Sequence, residues 1–353
     1  MIEAIEISEE NKWNEIVTSF MNYDVYYLRT YVYPFHIIGD GVPILLFYHS
    51  VNLRGMCLLM KREIWFKDIE LPSDLGQYYD LITPYGYGGF LFEGLTDDAS
   101  LKEFYDEYNA WLSDNKIVSV FYRFHPQLKT AQFASHYCNL IQLGHTIEMD
   151  LSSPEIIWSN ISSKNRNMIR KAQKNGITIE HGKSWELFKS FICIYNETME
   201  KDHAEDYYFF PESFYKCIYD SMKGNCELFY AIYNGKIIST AIMLYANKRM
   251  HYHLSGSVLE YRNLAPSNLM LYDAAKWGYE NGLKTFHLGG GVGSLEDNLF
   301  NFKKEFNRKS DVSFYIGKQI CNLEIYDQLV EFRRSNDTKF DVNSHFFPLY
   351  RAL

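Results

Sequence analysis

A chain of 353 residues, 47% of them hydrophobic, is long enough to bury two cores of ordinary domain size. Its 35 basic and 44 acidic side chains leave a net charge of −9, which disfavours wide contact with a phosphate backbone and excludes DNA as an expected partner. No run of about 18 uncharged apolar residues occurs, and the N-terminus MIEAIEISEE is acidic where an export signal is basic and then apolar. The six cysteines (Cys57, Cys138, Cys193, Cys217, Cys226 and Cys321) form no CxxC pair, which argues against a zinc knuckle or a disulfide framework. The expectation is a soluble cytoplasmic protein without a transmembrane segment. The 29 tyrosines and 25 phenylalanines point either to a broad, half-wet groove lined by tyrosine or to a compositional bias shared with Ile, Asn and Lys.

In chain order, the pattern predicts a helix over 9–21, strands at Ile44–Tyr48 and Met56–Met60 joined by a turn near Asn52–Gly55, a helix over Leu101–Leu112 and a strand at Ile117–Phe124. The segment 153–175 opens as SSPE, a capping box with Pro154 at the first helical position, and stops at Gly176; it reads as one helix linking two halves. Helices over 184–200 and 211–222 follow, then strands at 227–233, 236–246 and 249–257 turned by Asn234-Gly235 and Asn247-Lys248. A helix over 267–281 and a strand at 284–288 complete the second half. The repeated order predicts a pair of related α/β (α+β) domains, 1–152 and 153–353, with 153–176 as the linking helix.

The stretch FHLGGGVGSLEDNLFNFKKEF, Phe286 to Phe306, runs from a strand through Gly289, Gly290 and Gly291 into a short amphipathic helix carrying lysines. Such a glycine run lets backbone N–H groups approach a ligand closely, and alternation offers His287 to a cleft. On strand 249–257, His251, His253 and Ser255 are expected to face one way and Met250, Tyr252 and Leu254 the other. With no carboxylate or cysteine at useful spacing, these histidines suit polar contact or proton transfer, and no metal is expected. The junction LEYRNLAPSNLM places Arg262, Ser267 and Asn268 at a helix N-terminus, where free N–H groups and the helix dipole favour a phosphate. In the first half, ITPYGYGGF presents Tyr85 and Tyr87 from a turn, and Arg123 and His125 flank Phe124 at a strand end, a set suited to an anionic or sugar acceptor. Arg166 and Arg170 share a helix face at i, i+4 and can grip a phosphate, whereas Lys171 and Lys174 read as solvated.

The motifs SSKNRNMIRKAQKNGITIE, FICIYNETMEKDHAEDYYFF, HYHLSGS with NLAPSNLMLYDAAKWGYENG, and FHLGGG with NLFNFKKEF follow one another in an order that resembles the Fem-type peptidoglycan-bridge aminoacyltransferases and their acyltransferase relatives in the GNAT superfamily. The resemblance spans roughly residues 80 to 315. It implies two tandem GNAT-like domains with mixed central sheets and a cleft between them, and transfer of an acyl group to an amine of a cell-envelope precursor. In those families the lysine of an FK pair supports the tetrahedral intermediate, which assigns that role to Lys303 after Phe302, with Lys304 as the neighbouring alternative. Two departures stand out: there is no long charged heptad arm, and the nearest match to a Q/R-x-x-G-x-G/A phosphate loop is Arg262–Asn268, with Ala265 in place of the first glycine.

Together these readings predict an N-acyltransferase. Lys303 and the N–H groups of Gly289–Gly291 would support the oxyanion, His253 or His287 would take the amine proton, and Tyr87, Tyr208 and Ser255 would position the acceptor. The expected donor is acyl-CoA and the expected acceptor an amino sugar or another small-molecule or lipid-linked glycan or peptide precursor; contact with a membrane surface stays open. Aminoacyl-tRNA as donor is the second reading, and an inactive GNAT-like module that binds a glycan or a protein is the third.

Overall fold

The computed structural model describes residues 1–66 and 69–352. The chain begins with β1 (Ile2–Glu6), then α1 (Glu10–Ser19) and α2 (Arg29–Ile37), then the hairpin of β2 (Val42–His49) and β3 (Leu53–Glu63), whose near-continuous apolar runs are buried on both faces. There follow β4 (Tyr79–Ile82), β5 (Leu91–Gly94), α3 (Asp98–Asp114), β6 (Ile117–Arg123) and β7 (Asn139–Asp150). The chain continues through α4 (Pro154–Asn160), α5 (Ser163–Lys174), β8 (Thr178–Gly182), α6 (Trp185–Lys201), α7 (Glu212–Ser221), β9 (Cys226–Tyr233), β10 (Lys236–Ala246) and β11 (Arg249–Ser257). It closes with α8 (Pro266–Glu280), β12 (Thr285–Gly289), α9 (Asn298–Lys304), β13 (Val312–Ile320) and α10 (Leu323–Asn336).

Two units result, residues 1–143 with 314–353 and residues 144–313. This differs from the division at 152/153 read from the sequence, because the last forty residues return to the first unit. The cause is pairing: β13 runs antiparallel to β6, with Ile316 opposite Arg123 and Ile320 opposite Ser119, and Tyr326 and Leu329 of α10 pack on Val118. The expected single helix over 153–175 is also two. Ile161 is extended (φ −68°, ψ 131°), and Ser162 caps α5 by accepting the Asn165 N–H at 3.1 Å.

The first unit's sheet has the order β1-β2-β3-β4-β6-β13, with β5 on β3, and its one parallel pair is β4 with β6. The second unit's sheet has the order β7-β12-β11-β10-β9-β8, and its one parallel pair is β11 with β12. In each unit the parallel strands are joined through a helix, α3 in one and α8 in the other, so both share the logic of a parallel pair set among antiparallel strands. Aromatics fill the cores. In the first unit Phe104 stacks on Tyr108 and Phe90 meets both edge-on, and the Tyr108 and Tyr122 hydroxyls hydrogen bond. Tyr27, Tyr31, Tyr48, Tyr195, Tyr215 and Tyr350 are also fully buried, so much of the tyrosine excess is core rather than groove.

The C-terminal segment is locked onto the first unit by charge. Fully buried Asp80 of β4 accepts from Arg62 Nε at 2.7 Å, from Arg351 Nε and from the Tyr350 hydroxyl at 3.2 Å, and that hydroxyl also meets Ser119 Oγ at 2.9 Å. Removing one member of a buried ion-paired network leaves the others uncompensated, at about 3–5 kcal/mol. Asp80→Ala is therefore expected to lower the unfolding free energy by about 3 kcal/mol, read as a drop in the urea midpoint.

Candidate functional site

In the second unit, the glycine run and α9 form one built loop. Asp297 caps α9 by accepting the Phe300 N–H at 2.8 Å, and its other oxygen accepts the Val292 N–H at 3.1 Å. A Cβ on Gly291 would stand 2.1 Å from the Leu295 carbonyl oxygen and 2.3 Å from Asp297 Oδ1, so only glycine fits where the loop folds back on itself. This cap sets the rotation of α9 and turns Lys303 inward. Lys303 is 7% exposed, and its Nζ donates to the Gly290 carbonyl at 2.6 Å. Burial pulls its pKa down to about 8 against the opposing pull of Asp297. Lys304 points elsewhere and donates to the Ser310 carbonyl, which separates the two lysines that the sequence left adjacent.

The Tyr252 ring lies 5.9 Å from Lys303 Nζ, a contact missed in the sequence, where Tyr252 reads as an apolar-face residue. The reason is a β-bulge. Tyr252 stands opposite Met243, but Leu254 stands opposite Ile242, so His253 is the extra residue on β11. The alternation changes phase there. Met250 and Tyr252 pack with the α8 core, and Ser255, which hydrogen bonds Tyr252, joins that face. The expected common face of His251, His253 and Ser255 is thus corrected: Ser255 sides with Tyr252 and Lys303, and the histidines lie on the opposite side, toward α6. There a Cβ on Gly256 would stand 2.7 Å from the Ile194 carbonyl oxygen.

His251 and His287 pair in register across the parallel strands, both 1% exposed, with ring centroids 5.6 Å apart. That pair ends the β11–β12 ladder, and β11 runs on through Tyr252–Ser257 while β12 turns into the glycines. His253 is only half-buried by surface exposure, yet the surrounding protein desolvates it and neighbouring His251 opposes its charge, taking its pKa down to about 3. Such a group is held in its neutral form and is a weak proton acceptor.

At the start of α8, Ala265 is left-handed (φ 61°, ψ 44°), and no side chain caps the helix. Ala265 thus adopts the backbone that favours glycine at the position where the phosphate-loop pattern has one. The side chains of Ser267 and Asn268 are engaged inward, Ser267 Oγ with Ser239 Oγ at 3.1 Å and Asn268 Nδ2 donating to Asn165 Oδ1 at 2.7 Å. The helix start can therefore offer backbone N–H groups, while Arg262 stands exposed on the preceding 3-10 turn.

Arg166 donates to the Trp158 and Ile161 carbonyls at 3.2 and 2.9 Å, closing the end of α4, so its fork is not the free phosphate grip expected; exposed Arg170 lies 5.2 Å from the Trp158 ring and donates to Asn167 Oδ1 at 3.3 Å. Tyr208 sits on a short 3-10 turn, edge-on to Tyr207. In the first unit, the Tyr31 hydroxyl donates to the Tyr85 carbonyl, Tyr26 packs edge-on to Tyr87 at 5.5 Å, and Arg123 Nε donates to the Gly86 carbonyl at 3.1 Å. His125 is fully buried, its Nε2 3.4 Å from Asp24 Oδ2.

Residues 160–304 match the acetyltransferase (GNAT) domain family. Three solved structures resemble the chain over most of its length: FemX (15% identity, TM-score 0.66, 92% of this chain and 99% of that one), the C-terminal domain of a putative lysylphosphatidylglycerol synthetase from Agrobacterium fabrum (14%, 0.55, 92% and 97%), and a conserved protein of unknown function from Bacteroides thetaiotaomicron (10%, 0.58, 90% and 99%). No curated protein matches the sequence. Residues 160–304 thus match a GNAT domain, and over most of its length the chain has the fold of FemX.

Because the loop closes on Gly291, Gly291→Ala is expected to break the Asp297 cap and destabilise the protein by about 2 kcal/mol, the cost of overpacking. A fall in the thermal midpoint checks this.

Proposed function

We propose that the protein is an N-acyltransferase whose reaction centre lies in the second unit at Lys303, with acyl-CoA as donor and an amine of an amino sugar or cell-envelope precursor as acceptor. The observation that carries this reading is the buried ammonium of Lys303 on the Gly290 carbonyl, at the mouth of a glycine run on a GNAT domain. The neutral amine attacks the acyl carbonyl carbon, the C–O double bond opens to an oxyanion, and the C–S bond then breaks to restore the carbonyl and release the thiolate, which takes the proton the amine loses. Lys303 and the N–H groups of Gly289–Gly291 are donors suited to that oxyanion, and Tyr252 and Ser255 orient the group beside them. An extended amide-containing donor would lie along β11 beyond the last His251–His287 pair. The uncapped start of α8, with Arg262 nearby, suits its phosphates. His253, neutral and half-buried, hydrogen bonds rather than takes protons.

A second reading keeps the same chemistry with the ester of an aminoacyl-tRNA as donor; the Fem-type motifs and the full-length likeness to FemX support it. Calorimetric titration with acetyl-CoA and longer acyl-CoAs, with Arg262→Ala beside the wild type, separates the two. Saturable binding weakened in the variant supports the first. Turnover with charged tRNA, suppressed by salt, supports the second, and tight glycan binding without turnover would mark an inactive module.

Two kinetic outcomes follow from Lys303. Lys303→Ala is expected to lower kcat by about 100- to 1,000-fold, the usual loss for one oxyanion donor, with a much smaller change in KM. The ammonium is present below its pKa of about 8 and lost above it, so kcat should fall as pH rises through that value. The alanine variant should lack this basic limb.

A further inference from the structure

Between Ser162 and Asn175 the chain carries Lys164, Arg166, Arg170, Lys171 and Lys174 and no acid, against a net charge of −9 for the whole. On α5 the buried residues are Asn165, Ile169 and Ala172. Arg170, Lys171 and Lys174 therefore project from the opposite side, and all three, with Lys164, are exposed. Among the described residues, none of these four lies within ion-pair distance of a carboxylate; Arg170 spends its contacts on Asn167 and on the Trp158 ring. Trp158 in turn leans on Tyr272 with centroids 5.0 Å apart, and Lys276 lies 5.0 Å from the Tyr272 ring.

The composition of this face selects its partner. Proteins that hold single-stranded nucleic acid use open aromatic faces to stack bases. Here Trp158 is engaged by the guanidiniums of Arg166 and Arg170 and by Tyr272. What points outward is a set of long-stemmed cations, side chains that bind the headgroup region of an anionic bilayer by charge while their methylene stems make shallow apolar contact. We propose that the α4–α5 face docks this protein on an anionic membrane surface. The inference is independent of the acyl-transfer reading, since it concerns where the chain partitions and not what it turns over.

The test is co-sedimentation of the full chain with phosphatidylcholine vesicles that contain or lack phosphatidylglycerol. Binding should require phosphatidylglycerol and weaken as salt is raised. Each basic residue near such a surface contributes about fivefold in partitioning, so Lys164→Gln/Lys171→Gln/Lys174→Gln, which disturbs no packed side chain, should lower it on the order of a hundredfold. Lys189→Gln/Lys216→Gln/Lys236→Gln, which removes the same charge from α6, α7 and β10, should lower it far less. No sedimentation of the wild type with the anionic vesicles, or equal losses in the two triple variants, would overturn the proposal. Absence of vesicle binding together with poly-uridylate binding that depends on Lys164, Lys171 and Lys174 would reassign the face to nucleic acid.

Discussion

The arrangement depends on one buried contact, the Lys303 ammonium on the Gly290 carbonyl. Burying a cation is expensive unless it is hydrogen bonded, and here the compensation comes from a carbonyl, a carboxylate at Asp297 and the face of Tyr252. The balance leaves the charged form weakly held, with a pKa of about 8. A donor in that state, screened from water, interacts strongly with charge that develops beside it. The local fold serves this contact: the Asp297 cap fixes α9, and the crowding at Gly291 fixes the loop.

The second determinant is the bulge at His253. One extra residue moves Ser255 to the side of Tyr252 and Lys303 and leaves His251, His253 and His287 toward α6. It also lies just beyond the last β11–β12 pair. A strand pairing in strict alternation would have kept Ser255 with the histidines. The phase change thus divides the polar residues into a set around the lysine and a set of imidazoles.

Much of this was legible in the sequence, and the rest was hidden for identifiable reasons. The hairpins at Asn234-Gly235 and Asn247-Lys248, the start of α8 after Ala265 and the Lys303 position were all marked by turn chemistry or by the Fem-like motifs. The bulge was not, because HYHLSGS alternates cleanly on paper and only pairing with β10 shows the extra residue. The break at Ile161 could have been found, since Ser162 is a second N-cap residue inside the supposed single helix. The return of residues 314–353 to the first unit rests on long-range strand pairing and on the buried Asp80 network, neither of which has a local signature. Whether the tyrosine excess lined a groove or reflected composition was left open by the sequence, because aromatic content alone does not distinguish groove from core; many of the tyrosines are core residues.

The most direct test of this account is the titration of Lys303 itself, followed by NMR of lysine labelled with carbon-13 at Cε and assigned by comparison with Lys303→Arg. A midpoint near 8, well separated from the other lysines, is the predicted result. A midpoint at the ordinary lysine value of about 10.4 would mean that the ammonium sits in water, and would contradict the buried donor on which the proposed reaction rests.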